Sequence, residues 1–237
     1  MARLQMLFSR YRMLIVVVAY GLLASLTLWN LLLHLNTAVP GGKDSDYYQF
    51  LWGYWWMGQA LGQGQSPLWT DYVLYPHVSN LSVHTLAPIW YPVYALVAPL
   101  TSGPGAGNVM ILLGYVFTGA AMYAWLRRQL PTGWTAEFLA FLGGLAFAFS
   151  PYMMSRAAFS HLNLTPLWWF PVILLVWDEI VFPQSWPRWL SAIVLGLALW
   201  GGCGCRICNM ASGCRLPLWV MSCGHCGPTA GKGAGCG

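Results

Sequence analysis

Lys43, Asp44 and Asp46 stand within four residues of one another in "GGKDSDYYQF" (41–50), in a 237-residue chain of which only 7% is charged. A carboxylate so placed can take the proton from an incoming hydroxyl. Cations or hydrogen-bond donors beside it can hold a phosphate leaving group. Arg156, His161 and Asn163 form a second polar group in "SPYMMSRAAFSHLNLTP", which starts at Ser150, and Asp71, His77 and His84 lie between the two. The plain alternative is that charges between apolar segments are only solvated, and Asp71 in "TDYVLYP" would then cap or turn the chain. His77, His84 and His161 are of metal-ligating type, but nothing in their spacing demands a metal. Asn80-Leu-Ser82 and Asn163-Leu-Thr165 match the glycosylation acceptor pattern, which is frequent by chance.

The elements that must position these residues follow from composition. The chain is 58% hydrophobic, with 15 Trp, 12 Tyr and 10 Phe. A soluble domain carries about 25% charged residues, so lipid is the expected solvent. Up to residue 200 there are eight cations against six acids. That balance gives no sign of a nucleic-acid partner, and most of the cations flank apolar runs, as orientation markers do.

Met13–Leu33 has no charge and is long enough to span a bilayer. Arg3, Arg10 and Arg12 precede it and place the N-terminus in the cytoplasm. A secretory signal is the rival reading, but its apolar region would be shorter. Residues 36–83 hold Lys43, Asp44, Asp46 and Asp71 with many Trp and Tyr, the composition of a membrane–water interface. Within them "YYQFLWGYWWMGQALGQG" predicts interfacial helix, ended by Gly62, Gly64 and Pro67.

Residues 84–100 are apolar but broken by Pro88, Pro92 and Pro99, and are expected to insert only halfway from the outer face. Gly107–Leu126 is a clean span that ends on Arg127 and Arg128 at the inner face. Phe138–Ser150 runs outward, and a second outer loop follows it. Leu164–Phe182 returns, with Asp178 and Glu179 near the inner surface, and a fifth helix begins at Trp189. The expected fold is therefore an all-α integral membrane protein with four to five spans and a large first extracytoplasmic loop. Lys43, Asp44, Asp46, Asp71, His77, His84, Arg156, His161 and Asn163 are all expected on its outer side.

An N-terminal helix, an outer loop with the acidic pair in "DSDYY", and then "LWTDYVLYPHV" resemble the membrane glycosyltransferases of the GT-C fold. "SPYMMSRAAFSHLNL" resembles their second-loop region. The family includes oligosaccharyltransferase catalytic subunits and protein mannosyltransferases. The resemblance covers about residues 10–200. It implies an inverting transfer of a sugar from a polyprenyl-phosphate donor to an extracytoplasmic acceptor, in a bacterial cell membrane. Asp44 or Asp46 would orient or deprotonate the acceptor. Arg156 and His161 would hold the donor phosphate, with Lys43, Asp71 and Asn163 among the substrate-binding residues. Where the family carries a second acidic pair for metal, this chain has His161 and Asn163. The resemblance therefore carries over no certain cofactor and leaves a divalent metal open, and the likeness moves toward bacterial YfhO-like proteins. Family members have many more spans, so the resemblance implies an N-terminal piece of a longer enzyme. A carrier or assembly factor for cell-surface polymer is the non-enzymatic alternative. A carrier would place ionisable groups at the middle of its spans, and these spans are nearly free of charge.

Residues 201–237 form a separate region, with 10 Gly and all seven Cys of the chain. Three readings stand. Cys203, Cys205, Cys208, Cys223 and Cys226 are thiolates at metal-site spacing. Cys223-x-x-Cys226 is also a redox motif. A frameshift in GC-rich DNA would produce the same composition and would cut the helix begun at Trp189, leaving a tail without fixed structure.

Overall fold

The computed structural model describes residues 2–41, 45–82, 84, 86–182 and 187–204. Lys43, Asp44, Cys205, Cys208, Cys223 and Cys226 lie outside the described residues. The protein is mostly helical.

Helix α1 runs over Ala2–Thr27, and a short α2 over Trp29–Leu33 follows a break at Leu28. The expected span to Leu33 is thus interrupted. Helix α3 covers Tyr47–Gly62 and ends where its glycines predict, with Gly64 in the left-handed region at φ 67°. The segment from residue 88 is broken as its prolines require. It forms a 3-10 turn Pro88–Trp90, α4 Tyr91–Val97, and a second 3-10 turn Ala98–Leu100. Helix α5 spans Gly105–Gln129, α6 Trp134–Ala148, α7 Pro151–Ala158, α8 Trp169–Val181 and α9 Arg188–Gly204.

Three elements depart from the sequence expectation. Residues 69–80 are a hairpin of β1 Trp69–Leu74 and antiparallel β2 His77–Asn80, so Asp71 lies within a strand and does not cap a helix. Its β-branched and aromatic neighbours favour that extended state over the turn chemistry of one aspartate. The stretch expected as a second outer loop contains a true helix, α7. Ser150 caps it by accepting from the Met153 amide at 3.4 Å, and Pro151 fits its first turn. Helix α8 has 13 residues, about 20 Å at 1.5 Å per residue, well short of the expected Leu164–Phe182.

Among the described residues, α5 alone is a single helix long and apolar enough to cross a bilayer. Helices α6 and α7 together pass the same test across a 40° bend, and Tyr11–Thr27 and Pro88–Leu100 are shorter apolar helices.

Helix α5 is apolar on all sides and packs against α1, α4, α6 and α8. One core cluster joins Tyr47, Phe50 and Tyr54 of α3 to Met110, Ile111 and Tyr115 of α5, with Trp90, Met153 and Leu162. A second joins Val16 and Tyr20 of α1 to Ala120 and Tyr123 of α5 and Ala140 of α6. Here small residues let the backbones close up. The Tyr20 ring stacks on Phe141 at 4.9 Å and its hydroxyl donates to the Phe141 carbonyl at 2.9 Å. A Cβ at Gly119 would lie 3.0 Å from the Tyr20 ring, and one at Gly144 would lie 2.7 Å from the Gly119 carbonyl. Because the second contact is with backbone, a side chain at 144 can be admitted only by parting α5 from α6. Gly144→Val is therefore expected to destabilise the fold by at least about 1–3 kcal/mol, read as a lower thermal midpoint in detergent. An unchanged midpoint would contradict this packing.

Candidate functional site

The charged residues collect at two ends of the helices. At one end Arg127 Nε lies 2.6 Å from Glu137 Oε1, and Arg12 Nη1 lies 3.5 Å from the same oxygen. Tyr123 donates to the other Glu137 oxygen. Arg128 Nη1 lies 2.9 Å from Glu179 Oε2, and Trp125 Nε1 donates to Asp178 at 3.1 Å. Gln129 donates to the same Asp178 oxygen. Arg12, Arg127, Arg128, Asp178 and Glu179 therefore share one end of the helices. The sequence reading passed over Glu137, the acid that joins α1, α5 and α6. Its signal was its isolation, since it is the only acid between Asp71 and Asp178.

The candidate site lies at the other end and is built on Asn108, fully buried in the first turn of α5. Its Nδ2 donates to the carbonyls of Leu35 at 2.7 Å and Ala38 at 2.8 Å. Those two acceptors fix the amide's orientation, so Oδ1 faces the Tyr47 hydroxyl at 2.7 Å. That hydroxyl also lies 2.5 Å from the Pro104 carbonyl. Burial pushes the Tyr47 phenol well above its usual pKa, so it remains a donor. A Cβ at Gly107 would lie 2.5 Å from the Tyr47 hydroxyl, so only glycine lets the ring reach Asn108.

From this anchor the segment before α3 meets the segment after α7. The Ser160 hydroxyl donates to the Pro40 carbonyl, with Ser160 itself at φ 60°. Gly41, at φ 85°, faces the Ala158 carbonyl so closely that a Cβ there would lie 3.1 Å away. Asp46 stands before α3 without capping it, and Asp46 Oδ2 lies 3.7 Å from His161 Nε2. Arg156 Nη1 lies 3.3 Å from His161 Nδ1. Because a guanidinium only donates, His161 Nδ1 is the acceptor and Nε2–H is turned to Asp46. The Arg156 guanidinium also covers the Tyr152 ring at 5.0 Å.

Three polar atoms at this end, Arg156 Nε, Asn163 Oδ1 and Ser45 Oγ, are buried with no hydrogen-bond partner among the described residues. Asp46, by contrast, is 55% exposed at its side chain. The geometry joins an open carboxylate to an imidazole and a guanidinium. It can accept a proton at Asp46 and offer N–H donors to an anion from Arg156.

The structure brings together Asp46, Arg156 and His161, with Asn163 buried two residues beyond His161. Asp71 is exposed on β1, and no hydrogen bond or ion pair among the described residues links it to that group. His77 is exposed on β2, while His84 Nε2 sits 3.0 Å from Gln49 Nε2 and burial lowers its pKa. Among the described residues no three His, Cys, Asp or Glu side chains are placed to hold a metal ion. Sequence reading missed Asn108, whose signal was an amide standing alone at the start of an apolar run. It also missed Tyr47 and Ser160, whose roles appear only in tertiary contact.

Comparison with known proteins finds no matching family model, no matching characterised relative and no matching solved structure.

Asn108→Ala leaves the Leu35 and Ala38 carbonyls without their donor, whereas Tyr47→Phe removes one donor. Losses of about 1–3 kcal/mol are expected for groups left unpaired, with the larger fall in thermal midpoint for Asn108→Ala. Equal or negligible shifts would mean that Asn108 does not hold the first outer loop.

Proposed function

We propose that this chain is a polytopic membrane protein of GT-C type, with four to five membrane-crossing or membrane-embedded helical segments. It would transfer a sugar from a polyprenyl-phosphate-linked donor to an acceptor hydroxyl at its outer face. Two features support the membrane reading. Exposed large apolar residues cover the outward sides of α1, α6, α8 and α9, among them Leu14, Leu22, Leu26, Phe138, Trp177 and Leu197. The ionisable side chains collect at the two ends of the helices, as they would on either side of a hydrocarbon layer. On this reading the N-terminus is cytoplasmic, and the Asp46 end faces outward.

The observation that carries the functional reading is the junction of Asp46, His161 and Arg156 from two outer loops at an exposed face. Asp46, with Asp44 beside it in sequence, takes the proton as the acceptor oxygen attacks the anomeric carbon. The carbon–oxygen bond to phosphate breaks on the opposite side, and the phosphate leaves toward Arg156 and His161. Lys43, Asp71 and Asn163 are further substrate-binding positions on this proposal.

The test uses membranes carrying the chain, supplied with a radiolabelled polyprenyl-phosphate hexose. Release of polyprenyl phosphate is expected, falling at least about 100-fold in Asp46→Asn while the thermal midpoint is kept. Neither turnover nor saturable binding of the donor by the wild-type chain would overturn the glycosyltransferase reading and leave a non-enzymatic membrane protein.

A further inference from the structure

Asp71 apart, the hairpin β1–β2 has no part in the site just described, and its surface is unusual. Of the six residues of β1 only Thr70 is buried, and no residue of β2 is. Trp69, Tyr72, Val73, Leu74 and Val78 are each more than half exposed, and Tyr75 at the turn is 82% exposed. Thr70 is buried and Tyr72 meets α3, but beyond the irregular register between Thr70 and Leu74 the residues Val73, Leu74, Tyr75 and Val78 stay open around the turn. An isolated two-stranded hairpin is marginal in water, and this one presents apolar rings and branched chains all around its turn.

A folded partner would have to enclose the whole turn, whereas a fluid apolar medium covers it from every side. The backbone sets the depth, because the outer edges of a two-stranded ribbon carry unpaired N–H and C=O groups that hydrocarbon cannot satisfy. The indole and phenol groups of Trp69, Tyr72 and Tyr75 favour the level where one end of the ring is apolar and the other wet. No Lys or Arg occurs between Lys43 and Arg127, and the hairpin carries Asp71. Attraction to anionic headgroups therefore has no basis here.

We infer that the β1–β2 hairpin dips its Leu74–Val78 turn into the outer headgroup–acyl boundary of the bilayer, held there by apolar burial and not by charge. This rests on the membrane reading proposed above. The hairpin is clamped to the C-terminal half of α3. Tyr72 packs on Trp55 at 5.9 Å and Trp56 at 5.3 Å, and the Trp56 indole donates to the Pro67 carbonyl at 3.1 Å. Asp46 stands at the other end of α3, so the dipped turn sets the height of the Asp46 cluster above the lipid.

The test replaces the seven native cysteines by serine and introduces Leu22→Cys or Tyr75→Cys, one per chain. Each is spin-labelled in phosphatidylcholine vesicles and read by collision with oxygen against a water-soluble nickel chelate. The label at 22 is expected deep in hydrocarbon. The label at 75 is expected at the headgroup–acyl boundary, unchanged when phosphatidylglycerol is added. A label at 75 as open to nickel as free label in water, with the label at 22 still in lipid, overturns the hairpin proposal and leaves the membrane reading intact. So does a label at 75 shielded from both reagents, which would mark a protein contact, or one that enters the boundary only with phosphatidylglycerol. A label at 22 in water overturns both.

Discussion

A buried carboxamide must find all its hydrogen bonds inside the protein, because a donor or acceptor left unmade costs about 1–3 kcal/mol. Asn108 meets that demand at the top of the apolar helix α5. Two carbonyls from residues 35 and 38 take its N–H donors, and Tyr47 supplies the proton to its oxygen. One side chain thereby fixes the exit of α2, the start of α3 and the start of α5. The Pro40–Gly41 turn is then held where Ser160 and Ala158 receive it, and Asp46 is carried to His161. Each later contact at this end depends on that first satisfaction.

The opposite end solves a different problem. Helices α1, α5, α6 and α8 converge there, and each contributes charge. Glu137 gathers Arg12 and Arg127, and Glu179 takes Arg128. The arginines in the last turn of α5 therefore bind neighbouring helices. Between the two ends packing is made by small residues, with Tyr20 wedged beside Gly119 and Gly144. The bundle has a pinned polar loop at one end, an ion-paired collar at the other and close apolar contact between. On our proposal the bilayer surrounds the middle.

Much of this was legible in the sequence. The unbroken run from residue 107 announced α5, Gly62 and Gly64 marked the end of α3, and the prolines at 88, 92 and 99 broke the segment as expected. The meeting of the segment before α3 with the one after α7 was anticipated because polar residues recurred between successive apolar runs. The hairpin was not, since a motif resemblance drew attention to Asp71 and away from the β-forming residues around it. The helix α7 was hidden in a stretch whose polar residues read as loop, though Ser150-Pro151 is a helix start. The Tyr47–Asn108 and Arg127–Glu137 pairs were out of reach. Which buried donor meets which acceptor is decided by packing across tens of residues, and periodicity carries no information about it.

On our proposal the Asp46–His161 end and the Arg127–Glu137 end lie on opposite sides of a membrane. In sealed vesicles, with the native cysteines replaced, Phe159→Cys and Gln129→Cys would each be challenged with a membrane-impermeant maleimide. The account predicts that one is labelled from outside and the other only after the vesicles are opened. Labelling of both from the same side would contradict it.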